Sequence, residues 1–228
     1  MLSVIMPVYN EVGTLSQIIQ KVLDVPIEKE LIIVDDGSSD GSRDILKALD
    51  DQRIKVVYHE KNQGKGAAIR TGQAHVTGDI VIIQDADLET EPNDYLHLVK
   101  PIQEGKTAVV FGSRILGLDK AYNKTYYLGG KFVTAIANLL YGQGITDEPT
   151  CYKVMSSDLF KSIEIESNGF EFCPEITAKV SRMGHQIVEL PMRYYPRSTN
   201  EGKKLRWTDG FKAIWTLFKY RFGRISKG

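Results

Sequence analysis

The first 115 residues alternate short runs of β-forming residues with amphipathic helical patterns, and this alternation constrains the fold more than any other feature. The β-forming runs concentrate Val, Ile and Leu, as strands buried on both faces do. Alternation of this kind predicts an α/β fold with a mainly parallel sheet covered by helices. The predicted strands are residues 2–8, 30–34, 54–58, 79–84 and 108–111, and the predicted helices are residues 11–23, 41–49, 64–74 and 92–103.

The pattern changes after Gly117, where we expect the same domain to continue with a mixed sheet. Further elements are predicted over residues 126–141, 151–155, 174–182 and 186–190. In the helix over 126–141, the inward-facing residues are expected to be Phe132, Ile136 and either Leu139 or Leu140. No apolar run is long enough to span a membrane, and the first residues lack the basic leader of a signal peptide.

Charge is distributed unevenly along a chain that is neutral overall. Residues 193–228 contain ten basic and two acidic residues, a net charge of +8, which leaves −8 for the rest of the chain. Such a block indicates an anionic partner, for example phosphate groups, a membrane surface or nucleic acid, or simply a solvated tail. Because no nucleic-acid-binding module is recognisable, we expect no nucleic-acid partner.

The same segment predicts an amphipathic helix, since apolar residues recur there three and four positions apart. Such a helix could lie on a membrane, pack on the core or form a dimer interface. The apolar set is Trp207, Phe211, Ile214, Trp215, Phe218 and Phe222, and the residues expected opposite are Asp209, Lys212, Thr216 and Lys219.

The two cysteines, Cys151 and Cys173, are too few for a disulfide framework or a four-thiolate zinc site, which favours a reducing, cytoplasmic setting. The four histidines are scattered without metal-binding spacing.

Each of the first four predicted strands is followed by a polar loop rich in Gly, Asp or Asn. One such loop would be ordinary turn chemistry. Ligands of parallel α/β sheets bind beyond the C-terminal ends of the strands, so we expect the four loops to line one site. They are residues 7–11 (Pro-Val-Tyr-Asn-Glu), 35–38 (Asp-Asp-Gly-Ser), 62–66 (Asn-Gln-Gly-Lys-Gly) and 85–87 (Asp-Ala-Asp).

Asp85 and Asp87 flank the small residue Ala86 at the end of the fourth predicted strand. Two carboxylates this close repel each other unless a cation compensates them, and their oxygens suit a hard ion such as Mg²⁺ or Mn²⁺. We therefore predict that both bind a divalent metal and that Glu89 is a candidate third ligand. The alternative is that the two aspartates cap a turn and the helix that follows.

Taken in order, these loops resemble those of family 2 glycosyltransferases, and the resemblance covers nearly the whole chain. Three later stretches resemble the polyprenyl-phosphate glycosyltransferases within that family, such as dolichyl-phosphate mannose and glucose synthases and their undecaprenyl-phosphate relatives. These stretches are residues 110–114 (Val-Phe-Gly-Ser-Arg), Thr146-Asp147 with Cys151-Tyr152-Lys153, and Arg197 followed by Gly202-Lys203-Lys204.

The resemblance implies a GT-A fold and a nucleoside pocket lined by Pro7, Tyr9 and Glu11. Asp35, or alternatively Asp36, would accept hydrogen bonds from the base or ribose, because a carboxylate is a good acceptor for hydroxyl groups. A core position for Tyr9 and a turn-forming role for Asp36 are the competing interpretations.

Lys65 would contact the base or a phosphate, because the N-terminus of a helix attracts anions, or would simply be solvated. By the same resemblance Asp85, Ala86 and Asp87 would contact the donor. The metal held by Asp85, Asp87 and Glu89 would neutralise the leaving diphosphate. Many relatives have Gln in place of Glu89.

Arg114 would contact a donor or acceptor phosphate through its guanidinium group. Where relatives usually carry a second Arg, this chain offers Lys124 or Lys131. A flexible basic flap would close over the diphosphate and the lipid phosphate, with an exposed basic loop as the alternative. Its residues would be Arg197, Lys203 and Lys204.

Asp147 matches an acidic position proposed as the general base in this family, and a hydroxyl acceptor would need such a base. A phosphate acceptor is already ionised, so Asp147 could instead orient a substrate or cap the turn beside Pro149. The resemblance thus implies a catalytic group of Asp87, Asp147 and Arg114.

These observations predict a metal-dependent, inverting glycosyltransferase that moves a hexose from a UDP- or GDP-sugar to a polyprenyl phosphate. It would be peripheral on the cytoplasmic face of the membrane, with a homodimer or a separate membrane partner left open. Residues 1–204 would form the catalytic domain, with a nucleotide-sugar-binding half (1–115) and an acceptor half (116–204), followed by a basic amphipathic segment (205–228). The alternatives are transfer to a sugar hydroxyl on a non-lipid acceptor and a catalytically silent nucleotide-sugar-binding protein.

Overall fold

A seven-stranded sheet forms the centre of the computed structural model, which describes residues 1–117, 124–196 and 207–223. The strand order is β3-β2-β1-β4-β6-β5-β7. β6 runs antiparallel to β4 and β5, and the other neighbouring pairs are parallel. The predicted α/β class and the mixed second half are thus confirmed. The strands are β1 (Leu2–Val8), β2 (Lys29–Asp35), β3 (Ile54–Tyr58), β4 (Ile80–Ile83), β5 (Val109–Ser113), β6 (Lys153–Ser156) and β7 (Val188–Pro191).

Helices cover both faces of the sheet. Alternate residues of a strand point to opposite faces, and in β1 Val4 joins the apolar cluster on one face whereas Ile5 joins the cluster on the other. The helices are α1 (Leu15–Asp24), α2 (Ser42–Lys47), α3 (Lys65–Gln73), α4 (Tyr95–Leu98), α5 (Lys100–Gln103), α6 (Lys124–Tyr141), α7 (Ser157–Ser162), α8 (Phe172–Arg182) and α9 (Trp207–Phe222).

Two of the predicted helices differ from the observed ones. The helix predicted from Glu11 begins at Leu15, because residues 11–14 form a turn in which the Glu11 carbonyl accepts the N–H groups of Thr14 and Leu15. A single helix over 92–103 was wrong: a 3₁₀ turn precedes two four-residue helices, α4 and α5. Pro101 lacks the N–H group that a continuous helix would need there.

Helices α6 and α9 pack against each other through a small apolar cluster centred on Val133, Ala137 and Leu217. Ile136 and Leu140 pack against this cluster, as predicted. The inward orientation predicted for Phe132 was wrong, because its side chain is 61% exposed. Residues 133, 137 and 140 lie on the face of α6 that contacts α9, and Phe132 lies on a different face of α6.

Helix α9 also packs on α8, so its two faces differ from those expected. Thr216, expected on the polar face, is buried together with Leu217 and Tyr220. Phe211 and Trp215 remain 68% and 71% exposed. None of the helices in the described part of the chain is both long and apolar enough to cross a membrane.

Candidate active site

The four polar loops meet at one edge of the sheet and are joined in a closed ring of hydrogen bonds and one ion pair. The first loop contacts the second, since the N–H of Asn10 donates to Oγ of Ser38 (3.0 Å). The fourth loop is joined to the first through Thr14, whose hydroxyl donates to the Ala86 carbonyl (2.9 Å) and whose N–H donates to the Glu11 carbonyl (3.0 Å). The remaining contacts, from the second loop to the third and from the third to the fourth, involve Asp36 and Lys65. The expectation that these loops converge is borne out.

Asp36 links the second and third loops from a buried position. Its carboxylate accepts the N–H groups of Gln63 (2.9 Å) and Gly64 (2.8 Å) and lies 2.7 Å from Nδ1 of His59. Nε2 of His59 in turn lies 2.9 Å from the Thr71 hydroxyl on α3. Both oxygens of Asp36 therefore fix the third loop rather than a turn of their own loop.

Asp35 and Tyr9 occupy different environments beside this ring. Asp35 is fully buried, and its carboxylate accepts a hydrogen bond from Nε of Arg43 (2.6 Å) and one from the N–H of Ser38 (3.2 Å). Arg43 also stacks over the ring of Tyr58, 5.4 Å from its centre. Tyr9 is 37% exposed, so the alternative that placed it in the core was wrong. The aromatic ring of Tyr9 therefore lies partly exposed at this edge of the sheet.

Pro7 and Glu11 frame the first loop. Pro7 is half-buried in β1, paired with Val34 of β2. Glu11 is also half-buried; its N–H donates to the Ser42 hydroxyl (2.9 Å), and its carboxylate lies 3.2 Å from the Thr14 hydroxyl oxygen. Both residues contribute to the shape of the loop that carries Tyr9.

Lys65 and Asp85 form the contact between the third and fourth loops. Nζ of Lys65 lies 2.5 Å from Oδ1 of Asp85, and their side chains are 15% and 26% exposed. Burial alone would lower the pKa of Lys65, but the charge of Asp85, the neighbouring Cys173 and Cys151 and the hydrogen bond to Asp85 together raise that pKa above its ordinary value. The solvated position considered for Lys65 was wrong, and the ion pair keeps a fixed ammonium beside Asp85.

Asp87 and Glu89 continue the acidic run beyond Asp85. Asp87 is buried, and its Oδ1 accepts the N–H of Glu89 (3.0 Å). Oε2 of Glu89 accepts the hydroxyl of Tyr194 (2.7 Å). Among the described residues, no three His, Cys, Asp or Glu side chains gather closely enough to hold a metal ion by themselves.

The residues at this edge nevertheless fit a hard divalent cation. Asp85 and Asp87 supply carboxylate oxygens, which are the ligands that Mg²⁺ and Mn²⁺ prefer. Asp85 already holds a cationic group, the Lys65 ammonium. An ion bound mainly by two carboxylates needs further oxygens, and a diphosphate offers them.

Arg114 and Asp147 form a second charged pair. Oδ2 of Asp147 accepts both the backbone N–H (2.9 Å) and Nε (2.8 Å) of Arg114, and Oδ1 accepts Nη2 (2.7 Å). The carboxylate of Glu189 on β7 accepts the N–H groups of Thr146 (2.6 Å) and Asp147 (3.0 Å) and so fixes the loop that carries the pair. Both oxygens of Asp147 are thus bonded to Arg114.

A fully buried ion pair follows Asp147 directly. Nζ of Lys153 lies 4.0 Å from Oε1 of Glu148 and donates to the Glu148 carbonyl (2.8 Å). Burial raises the pKa of Glu148, and the charge of Lys153 with the Thr177 hydrogen bond offsets this only in part. The second oxygen of Glu148, Oε2, has no hydrogen-bond partner.

Lys131 lies apart from these contacts, exposed on α6 with its ammonium 4.8 Å from the centre of the Tyr127 ring. Arg193 anchors the chain ahead of the predicted flap through Asp94, whose carboxylate accepts its backbone N–H (2.7 Å) and Nε (2.8 Å). The flap residues Arg197, Lys203 and Lys204 lie outside the described residues.

Three residues of this site were missed by the sequence analysis. Arg43 pairs with Asp35, Glu189 holds the Asp147 loop, and Tyr194 bridges Glu89 and the Arg114 guanidinium, which lies 5.2 Å from its ring centre. Only Arg43 had a usable signal, since it is a basic residue close after the acidic second loop. The other two come from β7 and the residues after it, which only the folded sheet brings here.

Comparison with known proteins gives consistent results. Residues 3–164 match the family described as Glycosyl transferase family 2. The chain is 26% identical over 243 residues to the undecaprenyl-phosphate mannosyltransferase of Micrococcus luteus, which covers 96% of this chain and 98% of that protein. It is 27% identical over 220 residues to the low-salt glycan biosynthesis hexosyltransferase Agl6 of Haloferax volcanii, covering 93% of this chain but about half, 52%, of that relative.

Among solved structures, the glucosyl-3-phosphoglycerate synthase of Mycobacterium tuberculosis in complex with Mn²⁺, UDP and glucosyl-3-phosphoglycerate is similar in fold. The TM-score is 0.73 at 22% identity, over 99% of this chain and 81% of that one. The fold is therefore GT-A, as the resemblance implied. Since the family match covers well over half of the residues, the chain belongs to glycosyl transferase family 2 and is a glycosyltransferase that resembles the polyprenyl-phosphate sugar synthases.

Proposed function

We propose that this enzyme transfers a hexose from a nucleotide-diphosphate sugar to a polyprenyl phosphate. The observation that carries the proposal is the closed ring of loops, which brings the exposed Tyr9, the Asp85–Asp87 carboxylates and the Lys65 ammonium to one edge of the sheet. The similarity to the undecaprenyl-phosphate mannosyltransferase of Micrococcus luteus, which covers almost all of this chain, supports the acceptor class.

The donor would lie along this ring with its base beside Tyr9. Asp35 is fully buried and would act on the base or ribose through Arg43, which it holds, and Asp36 would act through the third loop that it holds. Lys65 would donate to a phosphate oxygen, since an ammonium fixed at the N-terminus of α3 adds its charge to that of the helix dipole. Pro7, Glu11 and Ala86 would shape this pocket.

A divalent cation, Mg²⁺ or Mn²⁺, would be held by Asp85 and Asp87, with Glu89 as a third candidate, and would supply positive charge against the leaving diphosphate. The Mycobacterium tuberculosis synthase of similar fold was solved in complex with Mn²⁺ together with UDP, which supports such a cofactor.

The acceptor phosphate would be bound by Arg114, with Lys131 and the flap residues Arg197, Lys203 and Lys204 as further cations. A lipid phosphate carries its own negative charge at neutral pH, so no side chain has to remove a proton. Asp147 fits this chemistry because both of its oxygens already orient Arg114. Transfer to a sugar hydroxyl would instead need Asp147 as a free base, which makes that alternative less favoured.

The exposed aromatic side chains of α9 support action on a lipid surface. Phe211, Trp215 and Phe222 are 68%, 71% and 77% exposed, and the exposed Lys212 and Arg221 lie on the same helix. Aromatic rings beside basic side chains suit the interface of an anionic membrane. We place the enzyme on the cytoplasmic face, with residues 1–204 as its catalytic domain and 205–228 as the segment that contacts lipid.

Two measurements test the function. UDP- and GDP-sugars are screened for thermal stabilisation in the presence of Mn²⁺ or Mg²⁺, and the sugar that stabilises the protein is then incubated with a short polyprenyl phosphate. We expect sugar transfer that is lost in Asp87→Asn and in the presence of EDTA but retained in Asp50→Asn, which removes the same charge at an exposed position. Transfer to a non-lipid glycan alone, or full activity of Asp87→Asn with EDTA, would overturn the acceptor or the metal assignment.

A further inference from the structure

Helix α9 is connected to the third polar loop by a run of largely buried polar contacts that the proposed reaction does not use. The run passes from α9 to Glu175 on α8, then to residues 165–170, and from there to Lys65 and its neighbours. We call residues 165–170 the bridging segment.

The first contacts join α9 to α8. The Tyr220 hydroxyl donates to Oε1 of Glu175 (3.0 Å), and the two side chains are 2% and 0% exposed. Nζ of Lys179 lies 2.8 Å from the same Oε1, and Nζ of Lys219 lies 3.1 Å from Oε2 of Glu166. Burial alone would raise the pKa of Glu175, but Lys179 and two backbone donors lower it. Glu175 is therefore a buried anion with strong hydrogen bonds.

The second contacts join Glu175 to the bridging segment. Its Oε1 accepts the N–H of Glu166 and its Oε2 accepts the N–H of Ser167, both at 2.8 Å. One carboxylate thus bonds two consecutive backbone groups, which fixes the course of the chain at this point. The hydroxyl of Tyr220 shares Oε1 with the Glu166 N–H.

The third contacts join the bridging segment to the loop that carries Lys65. The Asn168 carbonyl accepts the N–H of Ala67 (3.1 Å). A Cβ atom on Gly64 would lie 2.3 Å from the Asn168 oxygen, and one on Gly66 would lie 2.3 Å from the Ser167 oxygen. The two backbones are therefore in direct contact, and only glycine permits this approach.

The bridging segment also contacts Lys65 itself. The centre of the Phe170 ring lies 5.7 Å from Nζ of Lys65, and this Nζ is the ammonium group that pairs with Asp85. Arg70, further along α3, donates to the Ile165 carbonyl (3.1 Å). A shift of the bridging segment would therefore move the ammonium relative to Asp85.

We propose that Tyr220 and Glu175 are positioning residues for the donor site: by holding the bridging segment, they set the place of the Lys65 ammonium against Asp85. Helix α9 thereby influences how tightly the site binds a nucleotide diphosphate. This inference rests on the proposed function, because it takes Lys65 and Asp85 to face the diphosphate.

Amide hydrogen exchange of the ligand-free protein tests the connection itself. Tyr220→Phe removes the hydroxyl that bonds Glu175, whereas the control Tyr141→Phe removes a hydroxyl that donates to the Leu217 carbonyl of the same helix (2.6 Å). We expect exchange about tenfold faster at residues 166, 167 and 67 in Tyr220→Phe, the effect of losing one hydrogen bond to a charged group. The control should leave these amides unchanged, and equal exchange in the two variants would overturn the proposal.

Calorimetric titration with UDP in the presence of Mn²⁺ tests the effect on the site. We expect about threefold to tenfold weaker binding in Tyr220→Phe, with Glu175→Gln affected in the same direction and Tyr141→Phe binding as the wild type. Faster exchange with unchanged UDP affinity would mean that the contacts stabilise the fold only, and would overturn the positioning role. If the wild type bound neither UDP nor GDP, the donor class in the proposed function would fail, while the exchange measurement would still decide whether α9 controls the loop.

Discussion

Replacing Lys65 with Gln should move the affinities for a divalent cation and for a nucleotide in opposite directions. Nζ of Lys65 lies 2.5 Å from Oδ1 of Asp85, so it occupies a carboxylate that we assign to the metal. Without nucleotide, the ammonium and the cation compete for this carboxylate. With nucleotide bound, both attract the diphosphate, and the loss of the ammonium weakens that complex.

The size of both effects follows from the geometry. Two unit charges 4 Å apart interact by about 4 kcal/mol at an effective dielectric constant near 20. Because the side chains of Lys65 and Asp85 are 15% and 26% exposed, solvent screens much of this interaction. With about one third of this interaction energy left after screening, removal of the ammonium tightens the binding of the divalent cation roughly tenfold. A charge-assisted hydrogen bond to a phosphate contributes about 1.5–3 kcal/mol, so UDP binding should weaken roughly tenfold or more.

Two titrations measure these changes. Mn²⁺ alone is titrated by water-proton relaxation, and UDP is then titrated calorimetrically at saturating Mn²⁺. Lys61→Gln is the matched control, because Lys61 is an exposed lysine of the same chain region and its loss changes the net charge equally. A Lys65→Gln variant that binds Mn²⁺ no more tightly than Lys61→Gln would refute the competition. Unchanged UDP affinity would refute the contact with the diphosphate.

Three further predictions test the contacts around the site. Gly64→Ala should lose at least about 2 kcal/mol in urea denaturation, more than Gly105→Ala, because both positions have positive φ but only Gly64 also meets a backbone oxygen. Arg114→Ala and Asp147→Ala should each lower the free energy of unfolding by about 3 kcal/mol, and the double variant should lower it by much less than the sum of the two. Additive losses in this double-mutant cycle would mean that the two side chains do not stabilise the protein as a pair. Burial raises the pKa of Glu148 above its ordinary value of 4.5, so its protonated carboxyl contributes stability that is fully present below pH 4.5 and is lost as pH rises through the folded-state pKa. Glu148→Gln should therefore lose less stability with rising pH than the wild type. An unchanged slope of stability against pH would contradict this assignment.

The sheet could be predicted from the sequence because β1, β2 and β4 contain apolar runs that are buried on both faces, whereas the edge strand β3 is only partly buried. The runs at Leu2–Val8 and Ile80–Ile83 are short and rich in Val and Ile, which favours interior strands over helices. The break within residues 92–103 was harder to predict, because the apolar periodicity continues across Pro101. The face of α6 was also misjudged, since periodicity identifies an apolar face but not whether a neighbouring helix covers it.

The loops of the site were identified because polar residues at the ends of parallel strands converge for topological reasons. The partners within the site could not be identified in the same way. Asp147 and Arg114 are 33 residues apart in the chain, and Glu89 and Tyr194 are 105 apart. Only the order of the strands, with β7 beside β5, brings such distant residues together.

This pairing changes how substitutions of single charged residues have to be interpreted. The carboxylates of Asp35, Asp85 and Asp147 each bind a basic side chain of the same protein, through Arg43, Lys65 and Arg114 respectively. Removing any one carboxylate leaves a partly buried cation without its partner, which lowers stability and releases that cation from its position. Loss of activity in Asp147→Ala is therefore expected whether or not Asp147 accepts a proton. What distinguishes a base from an orienting group is the acceptor: a hydroxyl has a proton to lose and an ionised phosphate has none.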